Sequence, residues 1–149
     1  MYEKILVPLD GSKLAESVLP QIEGLAKSEG AEIIVLRVAV DAIKEFVYLD
    51  AWLAQDIIMK ECDEARHYLD RIAFDVRTAG IRCYWLVSEG AAAETILQTA
   101  ERLHVDLIAM SSHGLYAATR WLLGSVTEQV VQHSAIPIML IRPNPTEQK

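Results

Sequence analysis

The stretch that decides the fold lies near the start of the chain and reads Ile5-Leu6-Val7-Pro8-Leu9-Asp10-Gly11-Ser12. It is an apolar run followed by turn-forming residues. A strand with one face in water alternates apolar and polar residues, whereas a strand covered by helices on both faces need not. Continuous apolar runs therefore predict parallel strands. The others are Ile33-Ile34-Val35-Leu36, Leu107-Ile108-Ala109-Met110 and Ile136 to Ile141, with a weaker fifth candidate from Ile81 to Val87.

Helical patterns separate these runs. Pro20 lies inside the first pattern and predicts a kink or a late start, and Gly30 is placed to end it. The second pattern is the clearest, because its apolar residues recur every three or four positions, and Gly80 follows as a stop. The four predicted helices span about Lys13 to Glu29, Ile58 to Val76, Ala93 to Leu103 and Ser125 to His133.

Strands and helices therefore alternate along the whole chain. This order predicts an α/β fold with an open, doubly wound parallel sheet of five strands and helices on both faces. Sheets of this kind bind ligands at the carboxyl ends of their strands, where the strand order reverses. Pro137 removes a hydrogen-bond donor early in the last strand, which predicts that this strand lies at an edge.

Composition narrows the class of protein. The chain has 149 residues, 52% of them hydrophobic and 23% charged, which is enough apolar surface for one domain with a real core. With 14 basic and 21 acidic residues the net charge is −7, which argues against nucleic-acid or anionic-lipid partners. No apolar run has the roughly 18–20 residues of a membrane-spanning helix, and no signal peptide is visible.

The two cysteines, Cys62 and Cys83, have no metal-binding or redox spacing. They are interpreted as small buried apolar residues, and a cytoplasmic location is the simplest expectation. The polar segment from 144 to 149 is expected to be a flexible tail after a domain spanning 1 to 143.

The first candidate site follows the first strand. Asp10 is expected at a carboxyl end, pointing into the crevice, where it would accept hydrogen bonds from a ribose. The structural alternative is that Asp10 or Ser12 simply caps the next helix, as either residue type often does.

The second candidate site follows the fourth strand. It reads Met110-Ser111-Ser112-His113-Gly114, then nine residues, then Gly124-Ser125 at the start of a helix. The unpaired amides and positive dipole of a helix start favour a phosphate, and Gly124 would allow close approach. The alternative is a capping box, in which Ser125 and Glu128 satisfy each other's backbone donors.

These two segments together resemble the universal stress protein family over nearly the whole chain. Nucleotide-binding members of that family carry a glycine, two residues, a glycine, nine residues, and a glycine with serine or threonine. The spacing is intact here, but Ser111 stands where the pattern has its first glycine. We expect this departure to weaken nucleotide binding without abolishing it.

The resemblance implies a Rossmann-like strand order of 3-2-1-4-5, a role in stress response, and a homodimer formed through the last strand. It also implies ATP or AMP as ligand, with Mg²⁺ or Mn²⁺ as an optional companion. Pro8 and Asp10 would frame the adenosine, and Val38 would pack beside the adenine. The remaining positions would line the sugar and the phosphates: Met110, Ser111, Gly114, Gly124, Ser125 and Val126.

An enzyme is the less favoured interpretation. The chain has no Gly-Lys-Ser/Thr loop and no second acidic residue obviously placed to hold magnesium, so at most weak ATP hydrolysis is expected and no catalytic residue is assigned. A dimeric interaction module without nucleotide binding is the other alternative, because Ser111 departs from the family pattern.

The remaining side chains give weaker signals. His133 near a helix end fits a favourable charge–dipole contact, and no histidine spacing supports a metal site. His113 is expected to order its turn, and Arg120 is expected to be a solvated surface residue. The tryptophans are interpreted as core or interface anchors: Trp52, Trp85 and Trp121.

Overall fold

A computed structural model describes residues 1–39, 51–112 and 123–143 of the chain. Its strands are β1 (Lys4–Pro8), β2 (Glu32–Ala39), β3 (Cys83–Glu89), β4 (Leu107–Ser111) and β5 (Ile138–Ile141). Its helices are α1 (Lys13–Glu16), α2 (Leu19–Glu29), α3 (Ala51–Thr78), α4 (Ala92–Arg102) and α5 (Ser125–His133). Every predicted strand and helix is therefore present. The segments 40–50, 113–122 and 144–149, which include Gly114 and the predicted tail, lie outside the described residues.

The sheet has the order β3-β2-β1-β4-β5, and all its pairings are parallel. This confirms both the doubly wound fold and the 3-2-1-4-5 order. The order reverses between β1 and β4, so the chain leaves these neighbouring strands in opposite directions across the sheet. The last strand lies at an edge, as Pro137 predicted, and in the described part of the chain no helix is long and apolar enough to cross a membrane.

The first predicted helix is two helices, and the second of them starts late, as Pro20 predicted. α1 ends at Glu16, and α2 begins with Pro20 in its first turn, where the missing N–H has no partner to lose. Gly30 ends α2 in the left-handed conformation, with φ +70°. The chain thereby enters β2 directly from the helix.

The core lies in two layers, one on each face of the sheet. One layer packs α1, α2 and α3 on the sheet, and the other packs α4 and α5 on the opposite face. The predicted α3 stripe is confirmed at Cys62, Ala65, Leu69, Ile72 and Val76, which are all buried, although the helix begins at Ala51, before the first stripe residue. Both cysteines are buried and free, and burial raises the pKa of each thiol, that of Cys83 to about 11.

Asp106 fastens the amino ends of β1 and β4. Its Oδ2 accepts hydrogen bonds from the backbone N–H groups of Glu3 (2.8 Å) and Lys4 (2.9 Å), which hold the pKa of this carboxyl below its ordinary 3.8. A carboxyl with a depressed folded-state pKa stabilises the fold above its unfolded pKa and loses that contribution as the pH falls through the folded value.

We therefore expect Asp106→Asn to lower the free energy of unfolding by about 1–2 kcal/mol at pH 7. The difference from the parent protein should shrink as the pH falls below about 4, because the parent carboxyl is then protonated. Urea unfolding from pH 7 to pH 2.5 measures this, with the exposed Asp75→Asn on α3 as control. A pH-independent difference would contradict the assignment.

Candidate functional site

The chain makes a tight turn where it leaves β1. Asp10 is exposed, and its Oδ1 accepts hydrogen bonds from the backbone N–H (2.9 Å) and the hydroxyl (2.5 Å) of Ser12. Ser12 is the N-cap of α1, and its Oγ accepts from the N–H of Ala15 at 3.1 Å. The capping alternative is thus correct for Ser12, while Asp10 orders the turn and keeps its carboxylate at the surface.

The two described ends of the second candidate segment meet at the end of β4. The N–H of Gly124 donates to the carbonyl oxygen of Ser112 at 3.1 Å, and the N–H of Ser112 donates to that of Ile141 at 3.0 Å. The hydroxyl of the buried Thr127 donates to the carbonyl oxygen of Ser111 at 3.2 Å. These contacts hold the start of α5 against the carboxyl end of β4.

The capping box predicted at Ser125 is wrong. Gly124 is the N-cap of α5, and no side chain accepts a capping hydrogen bond there in the described structure. Ser125 already has helical conformation, so its hydroxyl and the Glu128 carboxylate lie one position too late for the motif. The amides of the first turn, Ser125 to Thr127, therefore have no acceptor inside the helix.

The two segments lie at the same edge of the sheet. β1 and β4 are parallel neighbours, with Ile5 opposite Leu107 and Leu6 opposite Ile108, and α1 contacts β4. Their carboxyl ends therefore bring the Asp10 turn and the start of α5 to the same edge of the sheet.

An apolar cluster extends toward this edge on the α4–α5 face of the sheet. Met110 is buried in it, and Val38 and Val126 pack against it while remaining partly exposed. Pro8 is half-buried and pairs with Leu36 of β2. The predicted site residues within the described structure lie on β1, β2, β4 and α5 or directly beside them, whereas Gly114 lies outside the described residues: Pro8, Asp10, Val38, Met110, Ser111, Gly124, Ser125 and Val126.

Ser111 occupies its position without backbone strain. It is a buried residue of β4, and His104 is the sole non-glycine residue with a positive φ in the parts of the chain that are described. A glycine is therefore not needed for the conformation of the chain at this position.

Sequence reasoning missed a charged and aromatic group beneath the Asp10 turn. The guanidinium of Arg37 lies 5.3 Å from the centre of the Tyr68 ring, and that of Arg71 lies 5.6 Å from it. The available signal was Arg37 itself, a cation within the otherwise apolar run from Ile33 to Ala39.

The structure agrees with some of the remaining side-chain predictions and not with others. His133 ends α5 as expected, and Trp85 packs partly buried against the core. Trp52 is 79% exposed, so it is not the core anchor that its residue type favoured. Ala54, two positions further along α3, is buried, so Trp52 lies on the opposite face of the helix. His113, Arg120 and Trp121 lie outside the described residues, and the described ranges contain no group of three or more His, Cys, Asp or Glu side chains able to hold a metal ion.

Known proteins share this sequence pattern and this fold. Residues 1–142 match the model of the Universal stress protein family. The universal stress protein Sll1388 of Synechocystis is 31% identical, with 95% of this chain and 98% of that protein covered. The solved structure of hypothetical protein MJ0577, whose sequence belongs to Methanocaldococcus jannaschii, superposes with a TM-score of 0.86 at 30% identity, covering 97% of this chain and 98% of that one.

A more distant structure shares the fold. A universal stress protein family protein from Arabidopsis thaliana, solved with AMP bound, has a TM-score of 0.73 at 20% identity and covers 99% of this chain and 95% of its own. The family match extends over nearly the whole chain, and a relative above 30% identity spans almost all of it. The chain therefore belongs to the universal stress protein family.

Proposed function

We propose that this protein binds an adenine nucleotide at the carboxyl edge of β1 and β4 and acts as a nucleotide-responsive regulatory protein in stress response. The observation that carries the proposal is the start of α5. Within the described residues no side chain caps its first-turn amides, and they lie at the same sheet edge as the exposed Asp10 carboxylate. A phosphate at such a helix start gains charge-assisted hydrogen bonds and a favourable dipole.

Each part of the nucleotide has a matching surface. The ribose hydroxyls would donate to the Asp10 carboxylate, which the Ser12 hydrogen bonds orient. The adenine would pack beside Val38 and Pro8, next to the apolar cluster that buries Met110. The phosphates would lie against Ser111, Gly114 and the amides of Gly124, Ser125 and Val126.

The AMP bound to the Arabidopsis protein supports an adenine nucleotide as the ligand class. ATP is our first choice, because the start of α5 offers several amides for a chain of phosphates. Mg²⁺ or Mn²⁺ would then take its oxygen ligands mainly from those phosphates, with Asp10 as the carboxylate within the described residues placed to add one.

The regulatory part of the proposal involves a homodimer in the cytoplasm. β5 is an edge strand in which Leu140 is 38% exposed and Ile138 and Met139 are half-buried. Pairing with β5 of a second copy would cover this apolar edge. A nucleotide that binds one arrangement of the dimer more tightly would shift its population.

A dimeric interaction module without nucleotide binding is the second candidate. It is favoured by the serine at position 111, where the nucleotide-binding pattern has glycine. The unstrained backbone of Ser111 counts against it, because the serine leaves the shape of the chain unchanged.

Calorimetric titration of the nucleotide-stripped protein with ATP, AMP, adenosine and GTP tests the proposal. We expect micromolar binding of ATP and AMP, weaker binding of adenosine and none of GTP. Flat traces for all adenine ligands would contradict it and favour the interaction module. Light scattering in the same buffer, with and without ATP, reports whether the dimer responds.

A further inference from the structure

Arg37 fills a space beneath the turn that follows β1. Gly11 has φ +88°, and a Cβ built there would overlap the guanidinium nitrogen Nη1 of Arg37. The guanidinium thus lies where the side chain of any other residue at position 11 would be. On its other side this guanidinium faces the ring of Tyr68 on α3, with 5.3 Å between its Cζ and the ring centre. Arg37 therefore lies between the helix and the turn.

Backbone pairing between β1 and β2 brings Arg37 next to the turn. The N–H of Leu9 donates to the carbonyl oxygen of Leu36 at 2.8 Å, so the chain is still attached to β2 after β1 has ended. The next residue of β2 is Arg37, and the turn residues Asp10 and Gly11 follow Leu9. Beyond the last hydrogen bond between β1 and β2, the side chain of Arg37 packs beneath the turn.

The surroundings of Arg37 are acidic. The side chain of Glu16 is 14% exposed. Burial raises the pKa of Tyr68, and the negative charges of Glu16 and Asp10 raise it further. The Tyr68 hydroxyl is buried, and the Glu16 carboxylate lies close enough to act on it. The charge of Arg37 opposes that of the two carboxylates. A neutral residue in its place would remove this positive charge from the acidic surroundings.

We propose that Arg37 is a positioning residue, which holds the Asp10-Gly11-Ser12 turn in place and so sets the affinity of the Asp10 carboxylate for the ribose. This inference rests on the proposed function for its ligand, but the support of the turn does not. The planar guanidinium both stacks on Tyr68 and fits under Gly11, which the compact ammonium group of lysine does not reproduce. Arg37 acts through the turn and makes no contact with the phosphates.

Arg71 provides a matched control, because it contacts the same ring at 5.6 Å but is exposed on α3. In the ligand-free protein we expect Arg37→Met to accelerate hydrogen exchange of the Ser12 amide by about tenfold, because the turn loses the guanidinium packed beneath Gly11 and opens more often. Arg71→Met should leave this rate within about twofold of the parent protein. Arg37→Lys should lie between the two variants. Equal rates in Arg37→Met and the parent protein would overturn the proposal.

Ligand binding separates positioning from direct phosphate contact. With Arg37→Met we expect the affinities for adenosine and ATP to fall by the same factor, about tenfold, while Arg71→Met keeps both. A loss confined to ATP would overturn the proposal, because it would mean that Arg37 acts on the phosphates. If the parent protein binds neither ligand, the proposed function has failed, and the exchange rates of Ser12 alone decide whether Arg37 holds the turn.

Discussion

Gly124→Val is expected to lower the affinity for ATP about 100-fold, which corresponds to the loss of two charge-assisted hydrogen bonds. Gly124 is the N-cap of α5, and a branched side chain at this position would stand in front of the first-turn amides. The backbone does not oppose the change, since φ −58° and ψ 151° are open to any residue. The effect should therefore fall on the ligand and not on the fold.

Two measurements separate these effects. Thermal unfolding of the ligand-free variant should show a loss below about 1 kcal/mol, the scale of an unfavourable N-cap. Affinity for adenosine should stay within about threefold of the parent protein, because adenosine has no phosphate to displace. An equal loss of stability and of ATP binding, or an equal loss of ATP and adenosine binding, would count against phosphate binding at α5.

Leu69→Ala is expected to lower the free energy of unfolding by about 3–4 kcal/mol. Leu69 is 0% exposed in the middle of α3, within the core layer that covers one face of the sheet. The substitution removes apolar contacts and leaves a cavity that the surrounding side chains fill only in part. Urea unfolding followed by circular dichroism measures the loss.

Phe74→Ala on the same helix is the control. Phe74 is larger than Leu69 but 66% exposed, so its removal should cost less than about 1 kcal/mol. Similar losses for the two variants would mean that α3 does not present this stripe to the sheet. The comparison tests the double coverage of the sheet that was inferred from its continuous apolar runs.

The helices and strands followed from local patterns. The spacing from Cys62 to Val76 marked the buried face of α3, because a helix repeats every 3.6 residues wherever it occurs in a protein. Pro20 and Gly30 placed the ends of α2 through their own backbone geometry. These are properties of neighbouring residues, so they can be read without knowing what the helix contacts.

Boundaries and solvent exposure were less accessible to sequence reasoning. Ser125-Val126-Thr127-Glu128 has the composition of a capping box, but the N-cap is Gly124, whose N–H is hydrogen-bonded to Ser112, so the helix begins one residue earlier than that motif requires. Trp52 is exposed because it lies on the face of α3 opposite the buried Ala54. The N-cap depended on a contact between distant segments, and the exposure of Trp52 depended on which face of α3 packs on the sheet.

The sequence by itself determined the fold class, the two segments of the candidate site and the edge position of β5. The strand order and the site residues came from the spaced resemblance to a family, and the site residues remain predictions of ligand contact. Only the tertiary structure decided that Arg37, Gly11 and Tyr68 meet beneath the Asp10 turn. These residues lie on β2, on the β1–α1 turn and on α3, and their meeting depends on how helices pack on a twisted sheet, which local sequence patterns do not encode.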